Sequence, residues 1–355
     1  MNEIIKGKDG LRNIIRAYKK LLIVHGSSYN RYDIKKIFDD IPHVDFTDFD
    51  SNPLYEDVCK GVDVFNSHNC DVIVAIGGGS AIDVAKCIKL FCKMDKRKNY
   101  LKQKRENNGI VLIAIPTTAG TGSESTKHAV IYFKGEKQSV SHDSIVPDYA
   151  FLIPEFLTGL PIYQKKCTLL DALCQAIESW WSVKSDDVSK AYSKKAIVNI
   201  RDNWREYIKD NSEKAAEKIM AASNYAGRAI NIAETTSAHA MSYKITSLYK
   251  VPHGHAVAIC MTEIWKYILN HQDKCTDSRG DKYLKNVLKD IESLVSYDWY
   301  CNLLMILDIA KPVASNKESE IKLLVESVNL ERLKNTPVEF STKVLREMYE
   351  RIIEV

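Results

Sequence analysis

One carboxylate and two imidazoles in the second half of the chain have the ligand chemistry of a divalent metal site. Asp171 opens the segment DALCQAIE at residues 171–178, His239 follows in a helical stretch, and His253 stands in the segment PHGHA at residues 252–256. A carboxylate with two imidazoles suits Fe(II) or Zn(II) with an open coordination position. Each residue alone has an ordinary structural explanation, because a buried carboxylate or histidine usually satisfies its hydrogen bonds within the protein. The set is therefore a metal-site hypothesis that depends on the rest of the chain.

Two loops rich in glycine and hydroxyl residues have the chemistry of a dinucleotide site. The first, Gly77-Gly78-Gly79-Ser80, follows an apolar run and opens a helical segment. Glycines let the backbone approach a pyrophosphate closely, and a helix N-terminus favours its negative charge. The second, PTTAGTGSE at residues 116–124, also follows an apolar run. Because ligands bind beyond the carboxyl ends of strands in an open parallel sheet, we expect both loops to face one ligand rather than to be unrelated turns.

These loops require a parallel sheet in the first half of the chain. Apolar runs that alternate with helical segments predict such a sheet, covered on both faces. The runs lie at residues 21–25, 71–76 and 110–115, with a weaker one at 44–49. After Pro154 the pattern becomes helical. We predict an α/β dinucleotide-binding domain over residues 1–154 and an all-α metal-binding and substrate domain over residues 155–355.

Composition limits the classes of protein to which the chain could belong. The 355 residues carry a formal net charge of +4, which is too small to indicate nucleic-acid binding, and we interpret the basic run at residues 96–105 as a solvated loop. The nine cysteines include no C-x-x-C pair, which favours a reduced, cytoplasmic compartment. No apolar run reaches the roughly 20 residues of a membrane span, and the N-terminus does not have the pattern of a signal peptide.

Taken together, these segments resemble the iron-containing (group III) alcohol dehydrogenase family over nearly the whole chain. The matching pieces are GGGSAIDVAK at residues 77–86, PTTAGTGSE, DALCQAIE, His239 and PHGHA, in matching order and separation. The resemblance implies a Rossmann-like N-terminal domain that holds NAD or NADP, a helical C-terminal domain as in dehydroquinate synthase-like folds, and a divalent metal. Members of this family are commonly dimers or larger homo-oligomers.

The resemblance also assigns roles to individual residues. It implies metal ligation by Asp171, His239 and His253. It implies contacts to the cofactor phosphates and their surroundings by Gly77, Gly78, Gly79, Ser80 and Asp83. It implies contacts to ribose, phosphate and nicotinamide by Thr117, Thr118 and Thr121.

Three positions depart from the family pattern. Gln175 stands where the family usually has a histidine ligand, and an amide oxygen is a weaker and harder ligand. Tyr243 stands where many members have a second histidine near the nicotinamide, so it either helps to relay a proton or only packs. Gly26, followed by Ser27 and Ser28, replaces an aspartate that holds the ribose hydroxyls in NAD-preferring members. Loss of that carboxylate removes repulsion against a 2′-phosphate, so we expect a preference for NADP.

The expected reaction is reduction of an aldehyde to a primary alcohol. The metal would polarise the carbonyl, the nicotinamide would give the hydride, and a proton would arrive through water, Tyr243 or His255, unless His255 only supports a ligand. Within the family, the segments DALCQAIESWWS, residues 137–154 and VNLERLKNTPV resemble phosphonoacetaldehyde reductases, also called 2-hydroxyethylphosphonate dehydrogenases, which suggests a place in phosphonate biosynthesis. Lys127, His128 and Lys244 are candidate phosphonate ligands or solvated surface residues.

Other functions stay open on the sequence alone. The first alternative is an alcohol dehydrogenase for a simple aldehyde or diol, of the butanol, lactaldehyde or propanediol type. A second is a metal-dependent sugar-phosphate cyclase, although the loop at residues 116–124 fits that class less well. A third, suggested by Gln175, is a metal-free oligomeric scaffold without activity.

Overall fold

The computed structural model describes residues 3–31 and 33–354, apart from the side chains of residues 27, 31, 33 and 331. The chain divides into two compact units. The first consists of Met1–Leu160 and Asn211–Met220, and the second of Pro161–Asp210 and Ala221–Val355. The domain boundary expected after residue 154 stays a prediction.

The first unit is built on a parallel sheet. Its described strands are β1 (Glu3–Lys6), β2 (Leu21–His25), β3 (His43–Phe46), β4 (Val72–Gly77), β5 (Val111–Pro116), β6 (His128–Phe133), β7 (Glu136–Ser141) and β8 (Tyr149–Leu152). Six of them form one sheet in the order β1-β8-β5-β4-β2-β3, with every pairing parallel. The other two, β6 and β7, form an antiparallel hairpin. The predicted parallel sheet is confirmed.

The central strands are apolar throughout because both faces of the sheet are covered. Alternate residues of a strand point to opposite faces. Leu22 and Val24 accordingly belong to one core cluster, and Leu21 and Ile23 belong to the other. Every residue of β2 and β4 is buried. Continuous apolar runs are therefore the sequence signal of this sheet.

The register of the central strands aligns the loops that follow them. β2 pairs with β4 up to His25↔Ile76, and β4 pairs with β5 up to Gly77↔Pro116. The chain thus leaves all three strands at the same edge of the sheet. This edge is where the glycine and threonine loops begin.

Helices cover the sheet and make up the second unit, where the predicted all-helical pattern is confirmed. The first unit has α1 (Leu11–Ile15), α2 (Tyr55–Ser67), α3 (Gly79–Phe91) and α4 (Glu155–Thr158). The helices from there to the C-terminus are α5 (Ile162–Trp181), α6 (Asp187–Arg205), α7 (Glu213–Ala233), α8 (Ser237–Tyr249), α9 (His253–Asn270), α10 (Asp281–Leu294), α11 (Tyr297–Ile306), α12 (Lys317–Glu326), α13 (Leu330–Leu333) and α14 (Thr342–Ile352). Within the described part of the chain, no helix has the length and apolar character needed to cross a membrane.

The second unit is organised around α5, which packs against α6 and α9, while α8 packs against α9. Gly254, in the first turn of α9, allows the closest of these approaches. A Cβ atom at this position would lie 2.0 Å from the Cys167 carbonyl oxygen and 2.9 Å from the Asp171 Cβ. Only a glycine lets α9 begin this close to α5, and the result is that His253 starts beside Asp171.

Candidate functional site

Three helices of the second unit bring the predicted metal ligands together. Asp171 on α5, His239 on α8 and His253 at the start of α9 each offer one ligand atom, and these atoms all lie within 4.8 Å of one another. Asp171 and His239 are each only 4% exposed. One carboxylate oxygen and two imidazole nitrogens at this separation match the donor set of a divalent transition metal.

The helices that carry these residues also present buried polar atoms without a hydrogen-bond partner among the described residues. Asp171 Oδ1, His239 Nε2 and Gln175 Oε1 are buried, and none has a hydrogen-bond partner among the described residues. Asp171 Oδ1 and His239 Nε2 lie 3.3 Å apart. A buried polar atom left without a partner costs about 1–3 kcal/mol. A cation between Asp171 and His239 would satisfy both of these atoms at once, so the residues present fit a metal.

Glu178 orients His239 from behind. Its side chain is fully buried, and its Oε2 is hydrogen-bonded to His239 Nδ1. Its Oε1 accepts hydrogen bonds from the Thr236 amide at 3.2 Å, the Thr236 hydroxyl at 2.6 Å and the Ala238 amide at 2.8 Å. With Nδ1–H directed at a carboxylate, the Nε2 lone pair is directed at Asp171. This is the carboxylate–histidine arrangement that supports metal ligands in many proteins.

Glu178 is the last residue of the DALCQAIE segment, but the sequence alone assigned it no role. Its position seven residues after Asp171, two helical turns along one face of α5, was the available signal. Which side chain it supports depends on α8 and could not be read from α5 alone.

The electrostatics of the ligand set suit a cation. Burial disfavours a charged His239, but the Glu178 and Asp171 carboxylates outweigh burial and raise its pKa to about 9. Burial acts to raise the pKa of Asp171, yet the neighbouring imidazole of His239 and the charge of His253 leave it below its ordinary value. The site therefore favours positive charge, and a bound metal would take the place of a proton on His239.

Tyr243 lies beside the ligand set, one helical turn after His239. Its ring is parallel to that of His253, with an interplanar angle of 2° and centroids 5.7 Å apart. Its hydroxyl accepts a hydrogen bond from Arg332 Nη1 at 2.7 Å. Arg332 belongs to the VNLERLKNTPV segment, but the sequence gave no reason to single it out.

His255, the other residue predicted to move a proton, has both ring nitrogens engaged. Nδ1 is hydrogen-bonded to the Tyr163 hydroxyl at 2.8 Å, and Nε2 to the Ala310 carbonyl oxygen at 2.7 Å. Burial lowers its pKa. The sequence left two roles open for His255, proton transfer and support of a metal ligand. These contacts favour support.

The predicted cofactor residues gather at the loop edge of the sheet in the first unit. A Cβ atom on Gly78 would lie 3.3 Å from Thr118 Oγ1, and one on Gly79 would lie 2.9 Å from Thr121 Cγ2, so the two loops face each other. α3 begins at Gly79 without a side-chain cap, which leaves its first amides directed outward. Such amides are the usual ligands of a pyrophosphate.

The loop after β2 joins the same group. Ser28 Oγ lies 3.2 Å from Thr117 Oγ1. A Cβ on Gly77 would lie 3.8 Å from the Gly26 amide nitrogen and 2.7 Å from Ala81 Cβ. The side chain of Ser27 lies outside the described residues, so its contact with a cofactor stays a prediction.

Ser80 and Asp83 bond to the protein itself. The Ser80 hydroxyl donates to the Ser51 carbonyl oxygen at 2.6 Å. Asp83 accepts from the Ser123 hydroxyl at 2.6 Å and from the Val130 amide at 2.9 Å, one bond on each carboxylate oxygen. These bonds hold the TGSE loop against α3, which indicates positioning rather than direct cofactor contact for Asp83.

The three candidate phosphonate ligands have separate surroundings. Lys127 Nζ lies 3.4 Å from Asp143 Oδ1 in an exposed ion pair, and His128 Nδ1 is hydrogen-bonded to Ser141 Oγ at 2.7 Å. Both belong to the first unit, whereas Lys244 is half-buried on α8 in the second. The bonds of Lys127 and His128 are what a structural role requires, and they add no support for phosphonate binding.

Comparison with known proteins supports a single family. Residues 2–154 match the family model "Iron-containing alcohol dehydrogenase", and residues 166–351 match "Fe-containing alcohol dehydrogenase family, C-terminal". The chain is 35% identical over 265 residues to a 4-hydroxybutyrate dehydrogenase of Clostridium kluyveri, which covers 72% of this chain and 71% of that one. It is 32% identical over 234 residues to a phosphonoacetaldehyde reductase of Streptomyces viridochromogenes, which covers 61% of this chain and 58% of that one.

A solved structure agrees over the full fold. The sulfoacetaldehyde reductase of Bifidobacterium kashiwanohense, in complex with NAD+, superposes with a TM-score of 0.87 at 26% identity and covers 99% of this chain and 96% of that one. Both halves of the chain, the donor set and the dinucleotide loops lead to one conclusion. The chain belongs to the iron-containing alcohol dehydrogenase family and is an oxidoreductase of the alcohol dehydrogenase type.

Proposed function

We propose that the protein is a metal-dependent NAD(P)H oxidoreductase that reduces an aldehyde to a primary alcohol. The preferred substrate is phosphonoacetaldehyde, which becomes 2-hydroxyethylphosphonate. The observation that carries the reaction type is the convergence of the Asp171, His239 and His253 ligand atoms within 4.8 Å of one another. The likeness to a phosphonoacetaldehyde reductase supports the substrate.

The residues of the second unit have different roles in the proposed reaction. Asp171, His239 and His253 would hold a divalent metal, which acts as a Lewis acid on the carbonyl while NAD(P)H supplies the hydride. Glu178 keeps the His239 lone pair on the ligand side. Gln175, whose buried amide oxygen also lacks a partner, would give a weak fourth ligand.

Reduction also needs a proton on the product oxygen. Tyr243 stacks on the proposed ligand His253, and its hydroxyl accepts a hydrogen bond from Arg332, which holds the phenol oxygen beside the ligand set. His255 has both nitrogens engaged elsewhere. We therefore assign proton delivery to Tyr243 or to water rather than to His255.

The cofactor loops support NAD(P), and Gly26 supports a preference for NADP. A Cβ on Gly26 would have nothing within 4 Å, so a larger side chain fits there without a clash. Gly26→Asp should restore repulsion against a 2′-phosphate and raise the NADH/NADPH ratio of kcat/KM at least tenfold. Gly26→Asn, which has the same shape without the charge, is the control. The sulfoacetaldehyde reductase of similar structure was solved with NAD+, so a preference for NADH is the competing expectation. A wild-type enzyme that strongly prefers NADH would refute the NADP preference.

A substrate panel tests the function as a whole. Oxidation of NADPH and NADH is followed with phosphonoacetaldehyde, butanal and lactaldehyde, after loading with Fe(II), Zn(II) or chelator. We expect metal-dependent turnover with the highest kcat/KM for phosphonoacetaldehyde. A higher value for butanal or lactaldehyde would favour the simple-aldehyde alternative, and absence of turnover with every combination would reject the proposal. Size-exclusion chromatography tests the homodimer expected from the family resemblance.

A further inference from the structure

A cationic side chain is linked to the ligand set through Tyr243. The guanidinium carbon of Arg332 lies 5.3 Å from the Tyr243 ring centroid, and its Nη1 donates to the Tyr243 hydroxyl. The Tyr243 ring in turn lies 5.7 Å from the ring of His253, centroid to centroid. Only one aromatic ring therefore separates this cation from a residue of the candidate metal site.

The charge of Arg332 has no anionic partner among the described side chains. Among the described residues, the guanidinium of Arg332 forms one hydrogen bond and one ring contact, and both are with Tyr243. Two other arginines of the second unit have anionic partners, since Arg279 pairs with Asp277 and Arg346 pairs with Glu318. Arg228 resembles Arg332 in its contacts with neutral groups, Asn224 and Tyr192, so what distinguishes Arg332 is its link through Tyr243 to His253. A guanidinium has five N–H donors in a fixed fork, and the hydrogen bond to Tyr243 uses one of them.

Arg332 is a partly buried cation that has no anionic partner among the described side chains. Arg332 is half-buried, and removing a cation from water is unfavourable unless an anion or several acceptors compensate it. Its hydrogen bond to Tyr243 fixes the orientation of the fork, so less side-chain freedom is lost when an anion binds. The remaining donors match the two oxygens of a carboxylate, phosphonate or sulfonate.

We propose that Arg332 binds the anionic head group of the substrate, while the aldehyde end is directed to Asp171, His239 and His253. The substrate class is then a short aldehyde with a terminal phosphonate, sulfonate or carboxylate. In such a molecule the carbonyl oxygen and the head group lie on the order of 5 Å apart, and the ion pair adds about 3 Å. That reach is comparable with the two contacts that separate Arg332 from His253. The inference rests on the proposed aldehyde reductase function and narrows its substrate.

The test compares anionic with neutral aldehydes in matched variants. Arg332→Met removes the charge, and Arg332→Lys keeps it without the fork. Arg346→Met is the control at an arginine of the same unit that is paired with Glu318. The quantity measured is the ratio of kcat/KM for phosphonoacetaldehyde, sulfoacetaldehyde or 4-oxobutanoate to kcat/KM for butanal. We expect this ratio to fall at least tenfold in Arg332→Met, mainly through KM of the anionic aldehydes. Arg332→Lys should recover part of it, and Arg346→Met should stay within twofold of wild type.

The outcomes separate this inference from the function on which it rests. Equal losses for anionic and neutral aldehydes in Arg332→Met, without recovery in Arg332→Lys, would show that Arg332 only supports Tyr243, and the proposal would be wrong. A wild-type enzyme that reduces butanal as well as the anionic aldehydes would also overturn it, with the reductase function intact. If the wild type reduces none of these aldehydes, the reductase function itself fails. The relative size of the ratio among the three head groups identifies which anion the site selects.

Discussion

At the scale of single residues, Glu178 orients His239, one of the three proposed metal ligands. Its carboxylate holds Nδ1 of His239, and three further donors fix the carboxylate. Glu178→Gln keeps the shape but removes the charge. We expect metal affinity to fall about 10–100-fold, the usual cost of losing such a support. Competition with a chromogenic chelator measures it without reference to turnover.

Glu350→Gln is the matched control, because Glu350 forms only an exposed ion pair with Arg346. Its metal affinity should equal that of the wild type. An unchanged affinity in Glu178→Gln would mean that the hydrogen bond to His239 is not what prepares the ligand.

The same scale shows what the sequence could and could not reveal about the site. Residue type suggested Asp171, His239 and His253 as a possible metal site, and the family resemblance, through the order and separation of the motifs, implied that they are ligands. Glu178 and Arg332 escaped, because their roles consist of contacts with side chains on other helices. The position of Glu178 two turns after Asp171 on α5 did not reveal which side chain it supports, and an arginine on α13 has no distinguishing signal until α8 is placed beside it.

At the scale of elements, the approach of α9 to α5 depends on Gly254. In Gly254→Ala the new methyl group would meet the Cys167 carbonyl oxygen and the Asp171 Cβ. Relief requires a backbone shift, since a carbonyl oxygen and a Cβ cannot rotate away. We expect a loss of about 1–3 kcal/mol in the free energy of unfolding, together with loss of bound metal. Urea titration and metal analysis measure the two effects.

Gly26→Ala is the control for that experiment. A Cβ at Gly26 meets nothing within 4 Å, so its free energy of unfolding should stay within about 0.5 kcal/mol of wild type. If Gly254→Ala were as stable as this control and kept its metal, close helix packing would not be what places His253.

Lys86 supplies a second prediction at this scale, because it anchors the loop after β5 to α3. It is fully buried and donates to the Ser123 and Thr126 hydroxyls and to the His128 carbonyl oxygen, at 2.8–3.0 Å. Burial lowers its pKa from the ordinary value of 10.5 to about 8, although Asp83 and Glu124 oppose the change. Between these two pH values the unfolded chain holds a proton that the folded protein has released.

The sign follows from that difference in bound protons. Stability increases with pH wherever the unfolded state binds more protons. The wild type should therefore gain stability relative to Lys86→Met as the pH rises from about 8 to 10.5, by on the order of 3 kcal/mol at most. Urea unfolding of the two proteins at several pH values gives the difference, and a difference that is constant with pH would contradict the prediction.

Elements differ in how well a sequence reveals them. β2, β4 and β5 were predicted because their apolar runs reflect burial on both faces. β1 was missed, since its residues Glu3–Lys6 pair on one side only, with β8, and two of the four are exposed. The sequence of such an edge strand has no periodic pattern of apolar residues, and the strand forms because it pairs with its neighbour.

At the scale of the molecule, the sequence motifs were sufficient for the family, because their order and separation span both units. The substrate was less accessible. On the assignment proposed for Arg332, the substrate depends on which charge lies near the ligand set, and the packing of α13 and α8 decides this rather than any motif. The three lysine and histidine candidates chosen from sequence proximity illustrate the difficulty, since Lys127 and His128 have protein partners while Arg332 was overlooked.

Metal removal tests the second unit as a whole, because its ligands come from three helices that a cation would tie together. A ligand that binds only the folded state at 100 times its Kd adds about 2.7 kcal/mol. Chelation should therefore lower the Tm of the wild type by roughly 5–10 °C, and Zn(II) or Fe(II) should restore it. In His253→Ala, which lacks one ligand, the shift should shrink to a small fraction of that value. Differential scanning calorimetry of both proteins, with and without chelator, measures this change in Tm. An equal change in the variant would mean that the stabilising metal does not bind at the cluster of Asp171, His239 and His253.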